Sequence, residues 1–395
     1  MRENRVRCRA RCRTVAAVKL TESPAEEAFR RSLRDWLASL PPARAGTHQT
    51  LDRDRIRWFS SALHGAGFAG VSWPARYGGR GLSPLFEGIA FDELVRAGRS
   101  GDVGVVGLGM AGPAIIAFGT PEQRSEYLPR ILTGETLFCQ GFSEPEAGSD
   151  LSAVRTSATR DGEQLVLNGH KVWSTEAPVA DHCLLLARSD PAATAHEGLT
   201  CLLVDLRLPG VRVEPLKQLT GEHRFGEIHF TDVRVPHHAV LGEPGAGWRV
   251  AMTTLAHERG TFALRLAAEL SHRFTQLVDL VRNRATDLPT SVRGRLAELW
   301  TEVAGLRWAA NKAACDLASG TAPGPELSVL KLRWAHTDQR VADLALDVVT
   351  GEDGPDFEHW RHHALRSRAS TIEGGTSEII RDVLAQRVLG LPRAR

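Results

Sequence analysis

The chain has 395 residues, 42% of them hydrophobic and 24% charged, enough apolar material for a large core or two to three packed units. Its 49 Lys and Arg nearly balance its 47 Asp and Glu, and a net charge of +2 gives no bulk electrostatic case for nucleic-acid binding. No run of about 18 apolar residues predicts a membrane span, and the six cysteines, Cys8, Cys12, Cys139, Cys183, Cys201 and Cys315, form no metal-type quartet and suit a reducing cytoplasm.

Residues 1–20 are arginine-rich, with Glu3 as their one acidic residue, and read as a basic, disordered extension on which no function is built. From 21 to 137 the pattern is helical: PAEEAFRRSLRDWLASL, a second helix around Ile56 to Ala66, FEGIAFDELVRAG, and a glycine-rich stretch near Gly104 to Ala117. WPARYGG is a loop between helices, and GTPEQRSEYLPRILTGE a surface helix leading to the first strand.

The period changes after Phe138. Short Val-, Leu- and Ile-rich runs occur at RTSAT, QLVLNGHKVWS, HCLLLAR, TCLLVDL, VRVEPL and EIHFTDVRVP, with Asp161-Gly162 and Asn168-Gly169 as turn signals. This predicts a small antiparallel β unit over 138–244. Long helical patterns then resume over 245–395, roughly at 247–283, 291–320, 325–350 and 377–389. The fold class is therefore α+β, mostly α.

Three segments carry chemistry. TIEGGTSEIIRDVLAQRVLG, 371–390, is a glycine-rich loop running into an amphipathic helix, with Thr376 or Ser377 to cap it and Glu378 in its first turn. Gly374 and Gly375 allow close approach of a ligand to the backbone, and the helix start offers free N–H groups. FSEPEAGSD, 142–150, lies at the edge of the β unit. In LAHERGTFALRLAAEL, Leu255, Phe262 and Leu266 recur at helical spacing around Glu258, on or beside an apolar stripe where a carboxylate is costly unless paired or used.

Together these segments resemble the acyl-CoA dehydrogenase family, and the similarity runs from about residue 21 onward. The resemblance implies an N-terminal helical domain, a middle antiparallel β domain and a C-terminal four-helix bundle. It also implies FAD, and α,β-dehydrogenation of an acyl thioester, CoA- or carrier-protein-linked, to the enoyl thioester. In many members the residue two before the loop Thr is the catalytic glutamate; here it is Gly374, which cannot take a proton. A second group places that glutamate on a long helix, and Glu258 fits that position, so the resemblance makes Glu258 the base that abstracts the α-proton while flavin N5 accepts the β-hydride. The backbone N–H of Gly374 is then a donor to the thioester oxygen.

By the same resemblance Gln140, Phe142, Ser143, Ser149, Trp173 and Thr175 face the flavin, and Ser149, Arg259 and Gly375 the substrate. Glu146 replaces a usual glycine and is expected to crowd its loop, while Glu176-Ala177-Pro178 departs from the usual Asn-Gly-Gly. The adenosine end is assigned to Gly351, Thr376, Ser377, Glu378 and Arg282, although Ala285-Thr286 replace the usual Phe-Gly after Arg282. No metal site is expected. The implied partners are an electron-transfer flavoprotein and either identical subunits, as a dimer or tetramer, or a paralogue in a heterotetramer. Two other readings stay open: a flavin-dependent monooxygenase or oxidase of secondary metabolism, and a non-catalytic partner subunit of a heteromeric dehydrogenase.

Overall fold

The computed structural model describes residues 21–43, 51–194, 196–284, 289–321, 324–351 and 353–392, with the side chains of 256–262 outside the description. The extension 1–20 and Ala285-Thr286 lie outside the described residues.

The N-terminal unit is built from α1 (Pro24–Ser39), α2 (Arg53–Gly65), α3 (Pro84–Arg96), α4 (Gly112–Phe118) and α5 (Pro121–Leu132), with a π-helical segment, Gly107–Ala111, leading into α4. Helix starts follow the sequence. Ser23 and Thr120 each form a reciprocal capping box, with Glu26 and Gln123 respectively, and proline occupies the first turn of both helices. Gln123 does a second job, its side-chain amide donating to the carbonyls of His238 and Val240 and tying α5 to the sheet.

The middle unit holds β1 (Phe138–Gly141), β2 (Ser157–Asp161), β3 (Gln164–Thr175), β4 (His182–Arg188), β5 (Leu199–Asp205), β6 (Val211–Leu216), β7 (Phe225–Pro236) and β8 (Val240–Leu241). Their order in the sheet is β6-β7-β3-β2-β4-β5-β8, with β1 beside β4. The pairing is mostly antiparallel, but β1 runs parallel to β4, which the expected all-antiparallel unit did not include. Leu184 and Leu186 of β4 join the core of the N-terminal helices with Phe59, Ile115 and Leu128. Leu185 and Ala187 join Leu165, Leu202, Ile228 and Phe230 on the other side. Burial on both faces explains why β4 reads as a continuous apolar run.

Asp161-Gly162 is the expected hairpin turn, Gly162 taking φ 61°. Asn168-Gly169 is not a turn. It lies inside β3 opposite a bulge of β7 at Asp232 (φ 49°), and the Asn168 side chain exchanges two hydrogen bonds with Asp232, at 3.0 and 2.9 Å.

The C-terminal unit contains α6 (Gly247–Asn283), α7 (Thr290–Ala318), α8 (Ser328–Val349), α9 (Pro355–Ser367) and α10 (Ser377–Val383), the last continued by a π-helical turn. α9 lies between the helical patterns at 325–350 and 377–389, where the sequence predicts no helix. α6 packs against α3, β5, α7 and α8, and so runs through all three units.

Gly112 marks one tight contact. Its φ is ordinary, but a Cβ there would lie 2.2 Å from the indole of Trp73, which is buried in the N-terminal core. Gly112→Ala should gain about 1 kcal/mol of helix propensity yet lose about 1–3 kcal/mol to overpacking. A lower midpoint in chemical denaturation is the expected result; an unchanged or raised one would mean that Trp73 moves freely.

Candidate active site

β1 leads at its C-terminal end into the 142–150 loop, which lies against β3, the Val172 N–H donating to the Ser143 carbonyl. Glu144 and Ala147 bond each other reciprocally through their backbones, so Pro145 and Glu146 form the tip of a tight turn. Glu146 is exposed there and crowds nothing, contrary to expectation. The turn is pinned from beneath. Lys171 of β3, with no exposed surface, donates from Nζ to the Phe142 carbonyl at 2.9 Å and to Glu144 Oε1 at 2.7 Å. Glu144 also accepts from the N–H groups of Arg155 and Thr156. Burial alone would raise the Glu144 carboxyl pKa, but the Lys171 charge and these bonds outweigh it and hold it below the usual range. Burial lowers the pKa of Lys171, with Glu144 opposing.

Beside this loop the chain bulges between Lys171 and Ser174, and Trp173 takes φ 59°, which leaves its indole 58% exposed with its edge against Phe225. Thr175 closes the strand. Glu176 follows at φ 63° with a buried side chain whose carboxyl lies near the N–H groups of Val105 and Val106. Burial raises its pKa, opposed by Arg224 and Arg265. The altered Glu176-Ala177-Pro178 segment is therefore a left-handed residue entering a short helical turn, Ala177–Val179, and it bridges the sheet to the start of the helical stretch before α4.

The terminal loop is held at both sides of its glycines. Glu373 accepts two bonds from Arg366 of α9, at 3.1 and 2.9 Å, and Lys331 of α8 donates to the Gly375 carbonyl at 2.7 Å. Gly374 and Gly375 both have positive φ, 63° and 98°, which explains the residue type. Thr376, not Ser377, caps α10 by accepting from the Ile379 N–H. Glu378 is exposed and 3.6 Å from Arg381.

The side chains of Glu258 and Arg259 lie outside the described residues; their positions on α6 do not. Arg265 and Glu269 stand seven and eleven residues after Glu258, two and three turns along the same line of the helix. That line continues into a half-buried ionic row in which Arg265 and Arg273 hold Glu269 at 2.8 and 3.4 Å, Arg273 reaches the buried Asp338 at 3.0 Å, and His363 reaches Asp338 at 3.1 Å. Burial would raise Asp338, but Arg273 and His363 bring it down to about 2.

Among the described residues, three buried polar atoms at these segments lack a hydrogen-bond partner: Gln140 Nε2, Ser174 Oγ and Ser377 Oγ. Unpaired buried polar atoms at the ends of β1 and β3, and at the start of α10, are groups that a polar cofactor could satisfy. Gly351, at φ 86°, ends α8, and Arg282 lines an open groove of about 490 Å³ with Phe274, Val278, Leu296 and Trp300. Arg282 is 24 residues beyond Glu258 on one helix, a rise of about 36 Å, so the two do not meet in one compact site. Sequence reasoning missed Lys171, Glu144, Arg366 and Lys331. The one available signal was Lys171 itself, a charge at an inward position of an alternating strand.

Comparison with known proteins gives one family throughout. The descriptions "Acyl-CoA dehydrogenase, N-terminal domain", "middle domain" and "C-terminal domain" match residues 23–135, 139–233 and 245–389. The chain is 39% identical over 381 residues to acyl-CoA dehydrogenase IpdE1 of Mycobacterium tuberculosis, covering 93% of this chain and 98% of that protein. A solved structure described as the Tcur3481-Tcur3483 steroid ACAD superposes with a TM-score of 0.87 at 29% identity, covering 95% and 100% of the two chains. The ChsE4-ChsE5 complex from Mycobacterium tuberculosis gives 0.82 at 28% identity, with the same coverage.

Lys171→Met breaks a buried pair and should cost about 3–5 kcal/mol; the purified variant should melt earlier and retain less flavin. Adding Glu144→Gln should recover part of the loss, and a double variant no better than Lys171→Met would show that the pair is not the unit. Asp338 gives a pH signature. Its depressed pKa makes its contribution complete above about pH 4 and lost as pH falls towards 2, a change of about 2 kcal/mol. Asp338→Asn should therefore be less stable at neutral pH and show a flatter acid limb in denaturation midpoints measured against pH.

Proposed function

The chain belongs to the acyl-CoA dehydrogenase family of flavoprotein oxidoreductases, and from that premise we propose that it removes hydrogen across Cα and Cβ of an acyl-CoA, with Glu258 taking the α-proton. One observation carries the assignment. The terminal loop has glycine where a loop base would stand, and its neighbouring carboxylate, Glu373, is engaged on both oxygens by Arg366. Glu258 on α6 is the carboxylate left for the task by the resemblance.

The loop retains its other role. The N–H of Gly374 donates to the thioester oxygen, where negative charge develops as the α-proton leaves, and a fixed donor there is worth more than a mobile one. Arg366 and Lys331 fix it from either side. Gly375, Ser149 and Arg259 border the thioester arm in the same reading. FAD, when bound, supplies N5 as acceptor of the β-hydride. Gln140, Phe142, Ser143, Ser149, Trp173 and Thr175 would hold its ring system. Thr376, Ser377, Glu378 and Gly351 would hold its adenosine end.

The likeness to the steroid ACAD supports a steroid-derived acyl chain as the substrate class. Arg282, about 36 Å along α6 from Glu258, supports a flavin site completed across a subunit interface. The likeness to the ChsE4-ChsE5 complex favours a paralogue as that neighbour, with this chain as the subunit bearing the base. An electron-transfer flavoprotein is the proposed oxidant.

In an anaerobic titration with steroid-linked, branched, long and short acyl-CoAs, one class should bleach the flavin absorbance. Glu258→Gln should keep its flavin and lose bleaching, whereas Glu373→Gln, which loosens the Arg366 contact but removes no base, should slow bleaching without abolishing it. A lethal Glu373→Gln beside an active Glu258→Gln would return the base to the terminal loop.

A further inference from the structure

The outward face of β3, β7 and β6 carries a cluster that the dehydrogenase reading does not use. Across the ladder His170 stands opposite His229, Arg212 opposite His229, and Glu214 opposite Glu227. His170 Nε2 is 2.9 Å from Glu227 Oε2, and His229 Nε2 is 3.5 Å from the same oxygen and 3.8 Å from Glu214 Oε2. His229 Nε2 is buried without a hydrogen-bond partner. Two imidazole nitrogens thus flank one carboxylate oxygen, and one of them is unpaired.

The bulge at Asp232 creates this arrangement. On its C-terminal side Val233 and Val235 point inward, and on its N-terminal side Ile228 and Phe230 do. The extra residue reverses the alternation and turns Glu227 and His229 outward, opposite His170. Asn168 fills the bulge with its two hydrogen bonds to Asp232 and fixes the reversal.

We propose that His170, His229 and Glu227 form a binding site for a divalent transition metal of the zinc class, with Glu214 or solvent in the fourth position. Zinc takes nitrogen and oxygen ligands at about 2.0–2.2 Å, so the edge between two donors of a tetrahedral site is about 3.3–3.5 Å. The separations of 2.9 and 3.5 Å bracket that edge. The imidazoles are stacked, with centroids 4.1 Å apart and planes 16° from parallel. Both must turn about χ2 to point at one ion, and that torsion is broad and soft for histidine. Two imidazoles with a carboxylate select against magnesium and calcium, which prefer all-oxygen sites. Arg212, paired with Glu214, keeps positive charge nearby and limits the affinity. The site lies on the face of β3 opposite Lys171, so it clamps β3 to β7, and β6 as well where Glu214 is the fourth ligand, without touching the reacting groups.

The test uses the purified full chain with its flavin, stripped by chelator and desalted. Titration with Co2+ should develop the visible bands of a four-coordinate ion at one equivalent, and Zn2+ should displace them and raise the thermal midpoint. His170→Gln, His229→Gln and Glu227→Gln should each weaken Zn2+ by about tenfold or more, with flavin content confirming that they fold. Mg2+ should have no effect. Absence of the Co2+ bands in the unaltered protein would overturn the proposal without recourse to any variant. So would Zn2+ affinities unchanged in all three variants, which would place the ion elsewhere.

Discussion

One buried charge organises the centre of the molecule. Lys171 has no exposed surface, and its ammonium is matched by Glu144 and by the Phe142 carbonyl. An unpaired ammonium there would cost several kcal/mol, so the strand that carries it and the loop that satisfies it must form together. That requirement fixes the 142–150 turn against β3. The segments assigned to the flavin ring, from Gln140 to Ser149 and from Trp173 to Thr175, are the two sides of this joint. The neighbouring Glu176 brings the joint beside Val105 and Val106 of the N-terminal unit.

α6 supplies the second constraint. Its 37 residues cross from the sheet to the far end of the bundle, and its inward line changes character along the way. Leu264, close to the position a Gly88 Cβ would take, meets α3 through shape. Arg265 and Arg273 flank Glu269 on α6 itself, and Arg273 meets α8 through Asp338. Such a row is poor ground for stability alone, since an apolar row could replace it. Its value lies in register: Arg273 is the α6 cation that reaches the buried Asp338, and a slide of α6 by a turn would leave that carboxylate with His363 alone among its present partners.

Much of this was legible in the sequence. The helix, strand, helix order follows from a change of period at Phe138, and α6 and β4 declare themselves by length and by continuous apolarity. α9 did not, because the face it buries includes His363 and Ser367 beside Trp360 and Ala364, and a polar inward face leaves no apolar period to read. Asn168-Gly169 misled for a related reason: the same pair that suits a tight turn also suits a bulge, and the choice was made by Asp232, 64 residues away. The Lys171–Glu144 pair and the His170, Glu227 and His229 cluster were invisible because strand register, not sequence spacing, brings their members together.

The glycine at 374 ties these constraints to function. When base and thioester donor share one loop, their relative position is set by a few bonds of backbone. On the proposed assignment they sit on different elements, Glu258 on α6 and the Gly374 N–H in the loop before α10, and about an ångström of drift between them would cost much of the rate. Arg366 closes that gap. It holds Glu373, the residue before Gly374, and its own charge lies in the field of Glu269 and Asp338, the acidic members of the α6 row. On that assignment the charges of Glu269 and Asp338, acting on Arg366, would relate the base helix to the loop, and the two features explain each other better than either stands alone.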